Sequence, residues 1–339
     1  MRLRRSHCAG PGIHRIRRGR GFSYVDDNGE SVLDSETLDR VRSLVIPPAW
    51  RDVWICPYPN GHIQAVGIDD AGRRQYLYHN AWRSARDEEK FDRALGLAVR
   101  LPRVRTRIDA DLRRPGLGYA RVLAGALRIL DRGVFRTGGE EYAEENDSHG
   151  VATLLRGHVR LHAGQLRFRF PAKGGLERLA VIRDAELARL VTTLRRGRHD
   201  HERLFSYRDT SGERQEVTAR DVNERFKEFA GEQYTVKDMR TWAATVLAAA
   251  EFATLDPPTS KAAEKRAEAH VMRAVAEQLG NTPAVARRAY VDPRVCQAYH
   301  AGHTIEATLR RLHTQHLAGD CGRASLERAV IRLLREQRR

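Results

Sequence analysis

Several kinds of segment are missing from this 339-residue sequence. No apolar run approaches the roughly 18 residues that a membrane-spanning helix requires, so we expect no membrane association. The first 20 positions hold seven arginines and no acidic residue, but no apolar segment follows them. A secretory signal needs that apolar segment, and we therefore expect none. The glycines between positions 10 and 21 would also break the amphipathic helix of a mitochondrial transit peptide.

Cysteines and nucleotide-binding motifs are equally scarce. The four cysteines are far apart and form no CxxC pair; they are Cys8, Cys56, Cys296 and Cys321. This spacing supports neither a zinc site nor a disulfide framework, and it fits a reduced cytoplasm. The sequence also lacks a GxxxxGK[ST] loop and an acidic cluster that would hold magnesium. We therefore expect a cytoplasmic protein with no nucleotide, metal or other cofactor.

Positive charge is present in excess. The 60 lysines and arginines outnumber the 44 aspartates and glutamates, which gives a formal charge of +16 and a pI of about 10.3. Because cations that contact phosphates release condensed counterions, a polyanionic partner such as double-stranded DNA would explain this excess. An arginine-rich proteome from a GC-rich genome would produce the same composition.

Hydrophobic patterning divides the chain into a β-rich beginning and a mostly helical remainder. Three apolar runs of strand length, separated by turn signals, predict an antiparallel meander; they lie at 53–56, 62–68 and 73–78. After His79 the apolar spacing becomes helical. The sequence therefore predicts an α+β fold, with a small N-terminal domain over residues 1–79 and a larger domain over residues 80–339.

The larger domain contains several clear helical patterns and one β element. Apolar stripes and caps predict helices at 118–133, 237–253 and 260–279, and a docked C-terminal helix at 325–335. Between His158 and Phe170, apolar and polar residues alternate on both sides of an Ala163-Gly164 turn. This alternation predicts a β-hairpin with one buried face and one basic face.

Four phrases of the larger domain contain residues that could bind and attack a phosphodiester. They are "FRTGGEEYAEENDSHGVATLL" with Arg136, "FRFPAKGG" with Lys173, "VKDMRTW" with Arg240, and "LGNTPAVARRAY" with Asn281 and Tyr290. Taken singly, each residue has an ordinary structural explanation. An arginine is commonly solvated, a loop lysine exposed, an asparagine after glycine a helix terminator, and a tyrosine a packed aromatic.

In this order and spacing, the phrases resemble those of type IB DNA topoisomerases of the small bacterial and poxviral kind. The resemblance extends over almost the whole chain, from "GRGFSY" to the tyrosine segment. It implies a catalytic set in which Tyr290 is the nucleophile, together with Arg136, Lys173, Arg240 and Asn281. Many relatives carry histidine in place of Asn281, but a neutral amide can still donate a hydrogen bond.

The resemblance also implies an activity and an architecture. The enzyme would relax supercoiled DNA by cutting one strand through a 3′-phosphotyrosine intermediate and resealing it, without ATP or metal. The two arginines and Asn281 would stabilise the charged transition state, and Lys173 would protonate the leaving 5′ oxygen. A catalytic domain of the topoisomerase and tyrosine recombinase kind would form a C-shaped clamp on DNA with the N-terminal domain. The protein would act as a monomer associated with the nucleoid.

A second set of candidate residues would contact DNA. The phrase "RRQYLYH" resembles the strand with which relatives touch base edges in the major groove, and it supplies Gln75, Tyr76 and Tyr78. Lys237, three residues before Arg240, is a further candidate contact. A strand places the two tyrosines on one face. The alternative is that they form an ordinary packing pair in the sheet.

Three other functions are weaker interpretations of the same residues. A tyrosine recombinase shares the catalytic fold, but it requires histidine at the position of Lys237 and lacks the N-terminal meander. A non-catalytic basic DNA-binding protein would not need the complete catalytic set. A metal-dependent nuclease would need a carboxylate cluster, which the sequence does not contain.

Overall fold

A computed structural model describes residues 2–133, 135–139, 143, 147–173, 175–197, 199–315 and 319–337. The chain divides into two compact units, Met1–Lys90 and Phe91–Arg339. The first contains a β-sheet and the second is largely helical, which confirms the predicted mixture of structure. The change from strand to helix falls between Tyr78 and Asn80. A functional domain boundary at this point stays a prediction. No described helix is both long and apolar enough to cross a membrane.

The framework of the first unit is a five-stranded antiparallel sheet with strand order β2-β1-β3-β4-β5. Its elements are β1 (Ile13–Arg18), β2 (Gly21–Val25), α1 (Ser35–Ser43), β3 (Arg51–Ile55), β4 (Ile63–Ile68) and β5 (Arg74–Tyr78). The last three strands confirm the predicted meander. Helix α1 packs on the sheet through Val41, which is buried with Val53 and Ala65 in one apolar cluster.

Strands β1 and β2 lie outside the predicted elements. Strand β1 has the sequence IHRIRR, whose three arginines leave no clean apolar alternation. It is fixed by a long-range pairing in which Ile13 lies opposite Ile55 of β3. Gly19 (φ +55°) turns the chain towards β2, a left-handed conformation that glycine adopts at low cost. The arginine-rich N-terminal stretch therefore contributes a strand to the sheet.

The second unit is built mainly from helices. They are α2 (Asn80–Leu112, which starts in the first unit), α3 (Tyr119–Gly133), α4 (Ala185–Arg195), α5 (Ala219–Ala230), α6 (Val236–Phe252), α7 (Lys261–Leu279), α8 (Pro293–His300), α9 (Glu306–Thr314) and α10 (Gly319–Glu336). The predicted helices correspond to α3, α6, α7 and α10. The C-terminal helix docks as expected, because Val330, Leu333 and Leu334 are buried in the main core.

Caps fix the two helices that matter most for the site. Helix α6 begins with a capping box, in which Asp238 accepts hydrogen bonds from the backbone N–H and hydroxyl of Thr235 at 2.9 and 3.0 Å. Arg93 of α2 donates to the same carboxylate at 3.0 Å. Helix α7 begins after the Ser260 cap and ends at Gly280 (φ +61°), as predicted.

The second unit contains more β-structure than the single predicted hairpin. A three-stranded sheet comprises β6 (Val159–His162), β7 (Gln165–Ala172) and β8 (Leu176–Ile182), and a separate pair comprises β9 (Ser206–Arg208) and β10 (Arg214–Glu216). The sequence pattern does not predict β8, because the apolar side chains of this strand lie on both faces of the sheet. Leu179 and Val181 are 63% and 57% exposed, whereas Ile182 is buried. Strands β9 and β10 are too short to show an alternation.

Candidate active site

Arg136 lies in the segment that follows α3. The backbone N–H of Val151 donates to the Arg136 carbonyl at 2.9 Å and so holds this segment. Nearby, a Cβ on Gly138 would lie 2.8 Å from the Cα of Gly150, so the two backbones cross too closely for a side chain. This crossing explains the glycine in the R-x-G phrase. The "YAEEN" letters at 142–146 lie largely outside the described residues.

Arg240 projects from the beginning of α6 and is only 6% exposed. Its guanidinium donates to the backbone carbonyl of Leu279, the last residue of α7. The guanidinium carbon also lies 5.2 Å from the centroid of the Tyr290 ring. A buried arginine that contacts both the end of α7 and the candidate nucleophile is well placed to act at the same phosphate.

The C-terminal end of α7 is where the candidate phosphate-binding residues meet. The left-handed Gly280 lets the backbone N–H of Asn281 donate back to Ala276 at 2.9 Å, as in a Schellman turn. Arg136 donates to Oδ1 of Asn281 and, at 3.4 Å, to the carbonyl of Gly280. Because Arg240 contacts the preceding carbonyl, both guanidiniums lie at the negative end of the helix dipole, which stabilises cations.

The side-chain amide of Asn281 has an unused donor. Its Oδ1 accepts from Arg136, whereas its Nδ2 is buried and has no hydrogen-bond partner among the residues that the structure describes. A buried donor without an acceptor costs about 1–3 kcal/mol. A phosphate oxygen bound beside the two arginines would supply that acceptor.

Tyr290 ends a π-helical turn over Ala286–Tyr290. The backbone N–H of Val291 donates to the carbonyl of Ala286 at 3.0 Å, five residues earlier. Single π turns of this kind occur frequently at functional sites. The turn places Tyr290, half-buried, against the core and beside Arg240.

Sequence reasoning missed Thr245, which holds the backbone around Tyr290. Thr245 is buried in α6, and its hydroxyl donates to the carbonyl of Tyr290 at 3.3 Å or to that of Thr241 at 3.0 Å. The same oxygen accepts from the backbone N–H of Asp292 at 3.2 Å. Helix α6 therefore carries Arg240 and also the group that fixes the tyrosine segment. A threonine inside a helix gave no sequence signal of this role.

Lys173 lies in the turn that follows β7 and joins it to β8, so a β-hairpin carries it as predicted. A backbone hydrogen bond from Gly175 to Ala172 at 3.2 Å closes this turn. Lys173 itself is exposed. The preceding residue, Ala172, lines a cavity of about 20 Å³ that Arg136 and Arg240 also line. The lysine turn thus adjoins the place where the two arginines converge.

A third arginine, Arg178 of β8, lines the same cavity and was not predicted as a site residue. It donates to the carbonyls of Gly133 at 3.1 Å and Glu277 at 3.3 Å. Like Arg136 and Arg240, it therefore reaches the C-terminal turn of α7.

The clustering of cations affects their acid–base properties. Burial, followed by the charge of Arg136, lowers the pKa of Arg240 to about 10. The same two causes, burial first, lower the pKa of Arg178. Taking like charges out of water costs free energy, and an anion at the same place offsets that cost. The site is therefore electrostatically suited to a phosphate.

The predicted DNA contacts of the first unit lie on β5. Tyr76 and Tyr78 stack with their ring centroids 6.1 Å apart and are 41% and 38% exposed, so they are not a buried packing pair. Gln75 donates to Asp69 at 2.9 Å. The remaining predicted DNA contact, Lys237, belongs to the second unit and is exposed on the first turn of α6. Contact of these residues with DNA stays a prediction.

Within the described part of the chain, no three histidine, cysteine, aspartate or glutamate side chains form a group that could hold a metal ion. The site described above instead consists of guanidiniums, an amide, a phenol and a nearby ammonium group. Such a set can bind a phosphodiester, stabilise negative charge and supply a nucleophile.

Comparison with known proteins agrees with this chemistry. Residues 79–316 match the family described as eukaryotic DNA topoisomerase I, catalytic core. Residues 21–69 match the bacterial DNA topoisomerase IB N-terminal domain. The chain is 31% identical to DNA topoisomerase 1B of Acanthamoeba polyphaga mimivirus over 288 residues, which cover 83% of this chain and 85% of the relative.

Poxviral proteins are more distant relatives. DNA topoisomerase 1B of vaccinia virus (strain Copenhagen) is 25% identical over 234 residues, covering 67% of this chain and 69% of the viral protein. DNA topoisomerase I of monkeypox virus is 25% identical over 231 residues, with the same shares covered. The catalytic-core match covers more than half of the chain, and a relative above 30% identity covers most of it. The chain therefore belongs to the type IB DNA topoisomerase family and is a DNA topoisomerase, an isomerase acting on DNA.

Proposed function

We propose that this enzyme relaxes supercoiled DNA by transient single-strand cleavage through a 3′-phosphotyrosine at Tyr290, without ATP or metal. The observation that carries the proposal is the convergence at the end of α7. There Arg136, Arg240 and the Asn281 amide donor, which has no partner among the described residues, meet, and the Arg240 guanidinium carbon lies 5.2 Å from the centroid of the Tyr290 ring.

In the proposed cleavage step, the phenol of Tyr290 gives up its proton to water and its Oη attacks a backbone phosphorus atom. The five-coordinate transition state concentrates negative charge on its non-bridging oxygens. Arg136 and Arg240 bind these oxygens, and Nδ2 of Asn281 donates to one of them. In the free enzyme the Arg240 and Arg136 guanidiniums donate to the carbonyls of Leu279 and Gly280. The phosphate oxygens would replace these carbonyls as acceptors.

The leaving 5′ oxygen needs a proton, because an alkoxide is a poor leaving group. We assign this role to the ammonium group of Lys173 in the β7–β8 turn. Lys173 is exposed, and the preceding residue, Ala172, lines the cavity that Arg136 and Arg240 also line. This position suits a group that contacts DNA. Religation is the reverse reaction: the 5′ hydroxyl attacks the phosphotyrosine and returns its proton to the lysine. Because the bond energy is conserved, supercoil tension alone drives net relaxation.

The first unit would add further contacts with the DNA duplex. We propose that Gln75, Tyr76 and Tyr78 contact bases or sugars from β5, and that Lys237 contacts the backbone near the cleaved phosphate. As the family resemblance implies, the N-terminal domain and the catalytic domain would enclose DNA as a C-shaped clamp. One site cuts one strand, so a monomer would suffice, acting on the nucleoid in the cytoplasm.

Relaxation of plasmid DNA in EDTA and without ATP tests this proposal. Both positively and negatively supercoiled plasmids should be relaxed, and the matched Tyr290→Phe variant should relax neither while still binding DNA. A strict requirement for magnesium or ATP would contradict the mechanism.

A further inference from the structure

Arg178 connects three parts of the catalytic unit. It lies on β8, where it is paired in register with Phe170 of β7. Its guanidinium donates to Gly133 at the end of α3 and to Glu277 in the last turn of α7. Arg178 therefore connects the β7–β8 hairpin, which carries Lys173, to the ends of α3 and α7, after which Arg136 and Asn281 follow.

An aromatic contact strengthens the same connection. The guanidinium carbon of Arg178 lies 5.6 Å from the ring centroid of Phe135, the residue before Arg136. Phe168 and Phe170 of β7 pack edge-on against the same ring, with centroids 5.2 and 5.3 Å away. Strand β7 thus contacts the segment before Arg136 through Phe168 and Phe170, and β8 contacts it through the Arg178 guanidinium.

All three arginines donate hydrogen bonds to backbone carbonyls at the C-terminal end of α7. Arg178, Arg240 and Arg136 donate to the carbonyls of Glu277, Leu279 and Gly280 respectively. Placing three guanidiniums on one helix terminus is unfavourable unless the helix dipole and the carbonyls compensate. Arg178 is half-buried on β8, the strand that follows the turn with Lys173. Packing of β8 in its sheet does not by itself require an arginine at this position.

We propose that Arg178 is a positioning residue of the active site, which holds the β7–β8 turn so that Lys173 reaches the leaving oxygen beside Arg136. This inference rests on the general-acid role proposed for Lys173. In the step concerned, the Tyr290 phenol loses its proton to water, the Oη–P bond forms and the P–O5′ bond breaks. The departing oxygen takes the proton of the Lys173 ammonium group, whose orientation depends on Arg178.

A sulfur-substituted substrate distinguishes this role from the alternatives. When the bridging 5′ oxygen is sulfur, the P–S bond breaks and a thiolate leaves with the electron pair, so no proton is needed. A residue that acts through Lys173 then becomes dispensable. A residue that binds the non-bridging oxygens does not, since their charge in the transition state is unchanged.

The experiment measures single-turnover cleavage of matched oxygen and sulfur duplexes by the full-length protein. We expect Arg178→Met, which keeps an aliphatic stem against Phe135, to cleave the oxygen substrate about 10- to 100-fold more slowly, as displaced catalytic groups do. It should cleave the sulfur substrate nearly as fast as wild type. Arg178→Lys should recover part of the rate. Arg169→Ala, which changes an exposed arginine of β7, is the matched control and should cleave both substrates normally.

Each result has a defined consequence. Lys173→Ala must also be rescued by sulfur; if it is not, the general-acid assignment fails and the route proposed for Arg178 fails with it. If Lys173→Ala is rescued but Arg178→Met is equally slow on both substrates, only the present inference is overturned. Wild-type rates for Arg178→Met overturn it as well. The Lys173→Ala/Arg178→Met double variant should be no slower than Lys173→Ala alone, and additive defects would refute the coupling. Rescue by sulfur also shows that a slow variant is folded.

Discussion

Replacing Thr245 with valine should separate the positioning of Tyr290, the proposed nucleophile, from DNA binding. Valine keeps the shape of the side chain but removes the hydroxyl that accepts from Asp292 at 3.2 Å and can donate to Tyr290 at 3.3 Å. Thr245 and Asp292 are each 2% exposed, so the Asp292 N–H would lose its partner in a buried environment. An unsatisfied buried group costs about 1–3 kcal/mol, and the lost bond to the Tyr290 carbonyl adds about 1 kcal/mol or less.

We therefore expect Thr245→Val to lower the free energy of unfolding by about 1–4 kcal/mol, measured by urea denaturation. The Tyr290 backbone would no longer be held by α6, and a displacement of the nucleophile by up to about 1 Å would slow cleavage by up to about 100-fold. The DNA dissociation constant should hardly change, because this buried hydroxyl cannot touch DNA. Single-turnover cleavage at saturating DNA, together with a binding titration, measures the two effects separately.

The matched control is Thr245→Ser, which retains the hydroxyl and removes a buried methyl group. It should cost about 1 kcal/mol of stability and leave the cleavage rate close to wild type. If serine and valine slow cleavage equally, lost packing rather than the hydrogen bonds is responsible. If Thr245→Val cleaves at the wild-type rate, the hydroxyl does not position Tyr290 and the reasoning is wrong.

Three further predictions address other parts of the molecule. Asn281→Ala should slow single-turnover cleavage by about 10²–10³-fold with little change in DNA affinity, because it removes one donor to the transition state; an unchanged rate would remove Asn281 from the mechanism. Combined Tyr76→Ala and Tyr78→Ala replacement should weaken DNA binding without changing cleavage at saturating DNA, and an unchanged dissociation constant would show that this face does not touch DNA. Burial, followed by the charge of His149, lowers the pKa of His158 from its usual 6.5 to about 4. The neutral ring therefore stabilises the fold above pH 6.5, and up to about 2–3 kcal/mol is lost as the pH falls towards 4. Urea denaturation of His158→Asn should show a smaller loss over this range, and an equal loss would exclude His158 as its cause.

Local patterns made much of the fold predictable. The helices α3, α6 and α7 carry apolar stripes, and the Ser260 cap and Gly280 mark the ends of α7 in the sequence itself. The meander over β3 to β5 is separated by turn signals. In contrast, β1 is held by pairing with a strand more than 30 positions away, and β8 has apolar residues on both faces. Structure that depends on distant partners leaves little periodicity in a single sequence.

The same contrast applies to the site. Arg136, Lys173, Arg240, Asn281 and Tyr290 could be predicted as candidates because each lies in a short phrase that resembles a family motif, and their catalytic roles stay predictions. The structure adds what no phrase contained: the shared use of α7 carbonyls by the arginines, the π-helical turn at the tyrosine, and the supporting side chains that contact it. These features depend on the three-dimensional proximity of segments that are separated by tens of residues.

Transfer of a DNA end label to the protein tests the central claim most directly. A duplex is labelled at either the 5′ or the 3′ end of the cleaved strand, incubated with enzyme and trapped with detergent. A 3′-phosphotyrosine predicts that wild type takes up only the 5′ label, that the adduct lies on the peptide containing Tyr290, and that Tyr290→Phe takes up none. Transfer of the 3′ label, or an adduct formed by Tyr290→Phe, would contradict the account.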